Sequence, residues 1–207
     1  MKVSAKTVTS GNSTQTFFLN SKKVKKVLDV GCGGSTIVSS FYPSHKVTKI
    51  DKKTGWDVLK EGLPRGKWDV IFANHIIEHL DDPDLFLRYC KRVMGKNTVL
   101  DIGTPNLCAW FNRILFLFGY LPHSYEVSYD KGYGRAFDWN NEVMGGHIRV
   151  FNVPSLVQML KDHGFKILSV KGEESLYKTN AVIRYIDKFL TWLSPTLASS
   201  FRVKCTL

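Results

Sequence analysis

The 207-residue sequence is short of several things, and each shortage excludes something. Its four cysteines, Cys32, Cys90, Cys108 and Cys205, form no CxxC pair, which removes the paired-cysteine redox and metal motifs. No secretory leader precedes them, so they are expected as reduced thiols in a cytoplasmic protein. No apolar run reaches the length of a membrane span. The most apolar stretch, "CAWFNRILFLFGYL", is broken by Asn112 and Arg113. No internal repeat and no low-complexity tract is present, so a solenoid or a disordered chain is not expected. Acids are scarce: 18 Asp and Glu face 29 Lys and Arg, a formal charge of +11. Part of that charge sits in "SKKVKKV", at Lys22, Lys23, Lys25 and Lys26. A basic balance favours anionic partners, although a solvated lysine face at the start of a strand is the plainer expectation.

What is present alternates. "VKKVLDV" (24–30), "KVTKID" (46–51), "WDVIFAN" (68–74) and "NTVLDIG" (97–103) read as strands, with "TPN" stopping the last. "STIVSSFY" reads as a short helix. "DDPDLFLRYCKRVMGK" reads as a helix capped by Asp81 or Asp82, with Pro83 in its first turn and Leu85, Tyr89 and Val93 recurring at a spacing of four. "NVPSLVQMLKDHG" is a helix capped by Asn152, with Leu156, Met159 and Leu160 on one face and Gly164 ending it. "FKILSV" is a strand, "AVIRYIDKFLTWL" an amphipathic helix and "SFRVKCTL" a last strand. The alternation implies an α/β fold, a mostly parallel sheet with helices on both faces. Such sheets bind ligands at the carboxyl ends of their strands. Those ends are Asp29–Gly34, Asp51, Asn74–His79 and Gly103–Asn106.

The first of these, "LDVGCGGS", brings a ligand close to the backbone. A dinucleotide loop wants G-x-G-x-x-G. Gly31 and Gly33 fit, but Thr36 stands at the third position. A phosphate-binding P-loop would need a Gly-Lys-Ser/Thr ending, which is absent. Asp29 stands at the mouth of the loop, where a carboxylate repels a pyrophosphate and attracts an ammonium or other cation. S-adenosylmethionine carries a sulfonium and an α-amino group and no phosphate. Asp51, closing the second strand, is placed to accept both hydroxyls of a ribose.

"VLDVGCGGS", "VTKID", "WDVIFANHIIEHLDDPDLFLRYCKRVM", "TVLDIGTPN" and "GGHIRVFNVPSLVQMLKDHGFKI" together resemble the class I S-adenosylmethionine-dependent methyltransferases. The likeness runs from about residue 24 to 170 and is strongest to the small-molecule branch that includes the ubiquinone-pathway O-methyltransferases. It implies a Rossmann-like sheet with an antiparallel last strand. It also implies that Asp29, Gly31 and Gly33 line the methionine end, and that Asp51 holds the ribose. Asp57 would lie near the adenine, with Asn74 and His75 beneath the methionine and sulfonium. The sequence departs from the pattern in two places. Ser35 replaces a frequent third glycine, and the stretch from Asp51 to Trp68 is short, so the usual helix and strand there are expected to be trimmed or missing.

His75, Glu78 and His79 lie at i, i+3 and i+4, and His147 follows in "GGHIR". They resemble the divalent-metal set of the Hen-type small-RNA 2′-O-methyltransferases, with His75 where that set has an acid. The plainer expectation is that Glu78 and His79 are a structural pair at a helix start and that no metal is bound. His147 and His79 are the candidate general bases.

Residues 107–147 are too long for a simple connection and are expected as an inserted lid or substrate segment within a single domain, 1–207. They hold Trp110, Phe111, Phe116, Phe118, Tyr120, Tyr125, Tyr129, Tyr133, Phe137 and Trp139. On "AVIRYIDKFLTWL", Val182, Ile186, Phe189, Leu190 and Leu193 share one face, which is expected to pack on the core. The alternative is contact with an anionic membrane or a partner. The whole points to an S-adenosylmethionine-dependent methyltransferase acting on O or N of a small-molecule acceptor, with an amphiphilic or glycan-type acceptor in view. An RNA 2′-O-methyltransferase, an NAD-binding oxidoreductase and a non-catalytic cofactor-binding scaffold are the other readings. Asp29 and Thr36 weigh against NAD. The absence of a recognisable RNA-binding module weighs against RNA.

Overall fold

Short runs rich in aliphatic and β-branched residues become strands in the computed structural model of the chain. The structure describes residues 26–42, 46–122, 124–136, 146–174 and 181–207. Lys22, Lys23, Lys25, Phe137 and Trp139 lie outside them. The strands are β1 (Val27–Val30), β2 (Val47–Ile50), β3 (Val70–Asn74), β4 (Val99–Pro105), β5 (Lys166–Glu173) and β6 (Ser200–Thr206). They form one sheet in the order β2-β1-β3-β4-β6-β5. The first four strands are mutually parallel. β6 runs antiparallel to β4, and β5 antiparallel to β6. The expected mostly parallel sheet with an antiparallel last strand, β6, is therefore present.

The helices are α1 (Ile37–Phe41), α2 (Val58–Glu61), α3 (Pro83–Val93), α4 (Trp110–Leu117), α5 (Val153–Asp162) and α6 (Ala181–Leu193). Asp82 caps α3 by accepting from Leu85 N, and Pro83 opens it. Asn152 and Ser155 form a capping box on α5. Between Asp51 and Trp68 there are only a 3-10 turn (Lys52–Thr54) and the single turn α2, and β2 is the edge of the sheet among the described residues. The trimming expected there is real.

The two faces of the sheet differ. Leu28, Val30, Ile71, Ala73, Leu100 and Ile102 point to one face and meet Phe86, Leu87 and Cys90 of α3 and Leu156 and Leu160 of α5. Burying a side chain such as Phe86 there is worth about 2–3 kcal/mol. The stripe of α3 that meets the core is thus Phe86, Leu87 and Cys90. Leu85, Tyr89 and Val93 flank it half-buried. The other face has a small apolar cluster of Val27, Val38, Tyr42, Val70 and Phe72. It also carries a polar row across the strands, with Asp29 in register with Lys49 and Phe72, and Asp101 with Phe72 and Lys204.

Two strands run further than their sequence pattern indicates. β4 continues through Thr104 and Pro105 because antiparallel β6 pairs with it up to Ser200. Proline is tolerated at that terminal position. β5 runs to Glu173 for the same reason. The correction that matters most concerns α6. Its apolar face does not pack on the core. Its buried residue is Asp187, while Val182, Phe189, Trp192 and Leu193 are exposed.

Candidate active site

The glycine loop after β1 is shaped by backbone geometry. Gly31, Gly33 and Gly34 all have positive φ. Gly31 N donates to Ile50 O at 2.9 Å, and a Cβ on Gly31 would lie 2.6 Å from the Ile76 side chain. Only glycine fits there. A Cβ on Gly33 or Gly34 would meet nothing within 4 Å, so that face of the loop is open. Asp51, the cap of the 3-10 turn, ties the loop down: its carboxylate accepts from Gly33 N and from Lys53 N, both at 2.8 Å. Each oxygen keeps a second acceptor direction.

Asp29 is 3% exposed and accepts no hydrogen bond from a described residue. Burial pushes its carboxyl up to about 6. The Lys49 ammonium opposes the rise and the Asp51 carboxylate adds to it. A buried acid without a donor, beside an open glycine loop, suits an incoming ammonium group. Asp57 is a helix cap, accepting from Leu59 N at 3.1 Å, and its other oxygen lies 3.9 Å from the Lys52 ammonium.

Asn74 ends β3 with its amide oxygen held by the Arg202 guanidinium of β6. Arg202 also donates to Asp101 at 3.0 Å and to Glu173 at 2.6 Å, and it stacks over the Phe72 ring at 5.0 Å. Tyr42 donates to the second oxygen of Asp101 at 3.0 Å, and Lys204 stands 3.5 Å from it. Burial would favour loss of the Arg202 charge, but Asp101 and Glu173 outweigh it and raise its pKa. Gly103 makes room for this junction, because a Cβ there would lie 2.7 Å from Asn74 Oδ1.

His75 follows Asn74 with φ 52°, a left-handed conformation that is uncommon outside glycine. Its N–H donates to Gly103 O, and its ring Nδ1 donates to Glu78 Oε1 at 3.0 Å. Burial would lower its pKa, but the Glu78 carboxylate wins and raises it. Glu78, 2% exposed, also accepts from the Thr104 hydroxyl at 3.0 Å. Its carbonyl accepts from Ile148 N and Arg149 N. The chain around His147 is thereby drawn across the strand ends. Glu126 fastens it from the other side, one oxygen accepting from Gly146 N at 2.8 Å and His147 N at 2.9 Å.

The result is a histidine pair. The His79 and His147 rings lie 4.7 Å apart, centroid to centroid. His79 Nδ1 faces Gly146 O and His147 Nδ1 faces Ser124 O, both at 3.1 Å. A carbonyl can only accept, so each Nδ1 carries the hydrogen and each Nε2 bears a lone pair when the ring is neutral. Burial lowers the pKa of His147, keeping it neutral at pH 7. Ligand atoms of Glu78, His79 and His147 all lie within 4.8 Å of one another. His75, with its Nδ1 on Glu78, is not in that group. A small cleft beside it is lined by Glu78, Thr104, Ser124, His147 and Arg149 among others.

Apart from Asp57, the cap of α2, the expected residues fall along one edge of the sheet. Asp29, Gly31, Gly33 and Asp51 form one half, and Asn74, His75, Glu78, His79 and His147 the other. Sequence reasoning missed Thr104, Glu126, Asp101, Glu173 and Arg202. The one available signal was a charged residue inside an apolar strand, Asp101 in "VLDIG" and Arg202 in "FRVKC".

This sheet, with a glycine loop after its first strand and an acid after its second, is the class I methyltransferase arrangement. A family model described as a methyltransferase domain matches residues 11–170, and the chain belongs to that family. It is similar to the ubiquinone biosynthesis O-methyltransferase of Pelagibacter ubique, 29% identical over 104 residues, covering 39% of this chain and 42% of the relative. The protein of the same description from Pasteurella multocida is 31% identical over 119 residues, covering 42% of this chain and 49% of the relative. The chain thus spans less than half the length of these two relatives in the match. Among solved structures, an S-adenosylmethionine-dependent methyltransferase from Mesorhizobium loti superposes with a TM-score of 0.55 at 17% identity, covering 90% of this chain and 93% of that one. The chain is thus a methyltransferase-domain protein, and S-adenosylmethionine is the methyl donor named for the solved structure it superposes on.

Proposed function

We propose that this enzyme moves a methyl group to an oxygen or nitrogen of a small acceptor that has an apolar part. The observation that carries the cofactor half is Asp29, a buried acid without a hydrogen-bond donor among the described residues, beside an open glycine loop. In this reading Asp29 takes the α-amino group and Gly31 and Gly33 let the methionine end approach the backbone. Asp51 accepts the ribose hydroxyls, Asp57 stands near the adenine, and Asn74 and His75 lie beneath the sulfonium. When bound, S-adenosylmethionine supplies an electrophilic methyl group. The chain's own work is to orient the acceptor and take its proton. His147 or His79 does this through Nε2, because each Nδ1 is committed to a carbonyl. Calorimetry with S-adenosylhomocysteine tests the cofactor half. Asp29→Ala should weaken binding more than about tenfold, since a charge-assisted contact is worth about 1.5–3 kcal/mol. Unchanged affinity would sink the assignment.

One observation favours a second reading, in which a divalent metal sits on Glu78, His79 and His147. Nδ1 on a carbonyl and a free Nε2 is how metal-ligating histidines are oriented. The bound ion would polarise an acceptor hydroxyl in place of a histidine base. Activity lost on chelation and restored by a divalent cation would establish it. Full activity in chelator, with no stoichiometric ion by metal analysis, leaves the histidine base. The homologues named for ubiquinone biosynthesis support an oxygen acceptor with an apolar tail over RNA.

A further inference from the structure

Helix α6 wears its pattern outside in. Asp187 is its buried residue and accepts from Trp110 Nε1 at 3.0 Å and from the Ser199 hydroxyl at 3.1 Å. Thr191 faces β5, its methyl 3.0 Å from where a Cβ on Gly172 would stand. The polar side is therefore the packed side. The apolar side is open: Val182 is 67% exposed, Phe189 58%, Trp192 79% and Leu193 58%. The neighbouring α4 repeats this, with Leu117 80% exposed and Phe118, just past its end, 71%. The two helices adjoin, since Trp110 of α4 reaches Asp187, and Arg113 of α4 donates to Thr196 O just beyond α6.

Both helices leave from the site edge of the sheet. α4 follows the end of β4. α6 connects the end of β5 to the start of β6, and Glu173, Ser200 and Pro105 are in register there. An apolar surface of this kind marks an interaction site. Its charge says what with. The two helices contain one acid, Asp187, and it is buried. Their exposed charges, Arg113, Arg184 and Lys188, are all basic. A second copy docked face to face would bring like charges together. An anionic bilayer meets them with opposite charge, and the chain's net charge of +11 adds long-range attraction. Tryptophan and tyrosine, here Trp192 and Tyr185, favour the bilayer interface.

We propose that the α4–α6 surface docks on an anionic lipid bilayer. Phe118, Phe189 and Trp192 enter the headgroup–acyl boundary, while Lys188 at the border of that face, and Arg184 beyond it, extend their long side chains to lipid phosphates. Docking places the strand-end edge at the membrane, where an acceptor with an apolar tail resides. That delivery rests on the acceptor reading above, whereas docking itself does not.

The test is co-sedimentation of the full chain with vesicles of phosphatidylcholine mixed with phosphatidylglycerol, and with phosphatidylcholine alone. The expected result is binding to the anionic vesicles at low salt, with release as salt rises, and weak binding to the neutral ones. The exposed-site double variant F189S/W192S should lose at least about tenfold in partitioning, because apolar area no longer inserts. R184E/K188E should lose the anionic preference. Both variants should bind S-adenosylhomocysteine like the parent, which shows that they are folded. Failure of the parent to sediment with either vesicle overturns the proposal, as does full binding by F189S/W192S. A dimer seen by light scattering and abolished by W192S would assign the face to a second copy and overturn it too. Vesicle binding with no faster transfer to bilayer-held acceptors supports docking and refutes the apolar-tailed acceptor.

Discussion

Along the carboxyl edge of the sheet, the β1–β2 half is built from backbone and the β3–β4–β6 half from side chains. In the first, three glycines with positive φ and one aspartate that accepts from two main-chain N–H groups set the shape. Its hydrogen bonds come from residues 31 to 53, and one outside side chain, Ile76, closes on Gly31. In the second, Asn74 depends on Arg202, Glu78 on Thr104, and His147 on Ser124 and Glu126. The partners come from distant segments and meet only when the sheet has closed. The difference teaches where each half is vulnerable. The local half fails when a backbone conformation is denied. The assembled half fails when a remote charge or hydrogen bond is removed.

The largest effect should come from breaking the assembled half at its hub. Arg202→Met takes from Glu173 its guanidinium partner and leaves buried Asp101 with the Lys204 ammonium at 3.5 Å. Removing one partner of a buried ionic network costs about 3–5 kcal/mol, which for a chain of this size is a fall of roughly 10 °C in melting temperature. Thermal unfolding by circular dichroism reads it directly. A drop of only a degree or two would mean that Arg202 does not organise this half.

The local half should break at Gly31 and bend at Gly33. Gly31→Ala puts a methyl 2.6–2.9 Å from three Ile76 side-chain atoms in a left-handed backbone. Clash and conformation together should cost about 2–4 kcal/mol and abolish cofactor binding. Gly33→Ala meets no neighbour and should cost only the conformational term, about 1 kcal/mol. Equal losses of stability in the two variants would show that the contact with Ile76 is not what requires glycine.

The same contrast decides what was legible beforehand. Asp29, Gly31, Gly33 and Asp51 were readable because their geometry follows from neighbours in sequence. The helix caps Asp82 and Asn152 were readable for that reason too. His79 and His147 were grouped only through the resemblance to a metal set, and local spacing could not bring them together. Their pairing depends on Glu126 and on the Glu78 carbonyl gathering residues 146–149, and no local pattern encodes that. Helix α6 shows the limit most clearly. Its 3.6-residue periodicity gives the helix but is silent on which side meets the sheet. Trp110 and Ser199, far away in sequence or across a turn, supply the donors that make burial of Asp187 tolerable. Helix α5, with the same kind of pattern, buries Leu156 and Leu160 as expected.

A smaller effect sharpens the local half through pH. The Asp29 carboxyl titrates near 6 in the free protein because burial disfavours its charge. Its folded value lies above the usual carboxylate range, so the native state holds this proton between about pH 4 and 6 while the unfolded chain has released it. Native stability from this group is therefore greatest in acid and declines as pH rises through that window. Cofactor affinity should run the opposite way, because an ammonium group requires the carboxylate. Affinity for S-adenosylhomocysteine should be flat above about pH 7 and fall about tenfold per unit below 6. Asp29→Asn should bind weakly and lose the slope. A parent whose affinity is flat from pH 5 to 8 would remove Asp29 from the ammonium site.

The smallest effect probes the assembled half without dismantling it. Glu126→Gln keeps an oxygen to accept from Gly146 N and His147 N but removes the negative charge. Stability is not the readout here, because the buried Arg135 guanidinium, 3.9 Å from Glu126, also loses an anionic neighbour. The informative quantity is the His147 imidazole. Burial holds its pKa below the ordinary value, and the Glu126 carboxylate is one of the groups that partly restores it. Without that charge the imidazolium is less favoured, so the His147 pKa should move further down. Proton NMR titration of the imidazole resonances reads this shift without any acceptor. If His147 is the base, the acid limb of the transfer rate should move to lower pH by the same amount, since the neutral ring persists further into acid. S-adenosylhomocysteine affinity at pH 7 should change little, because the loop that holds it is set by Gly33 N and Lys53 N on Asp51, at the other end of the edge. An unchanged or raised His147 pKa in E126Q would show that Glu126 acts on the backbone alone. A shifted pKa with an unmoved rate limb would take the proton away from His147 and leave His79 or a metal-bound hydroxyl to account for it.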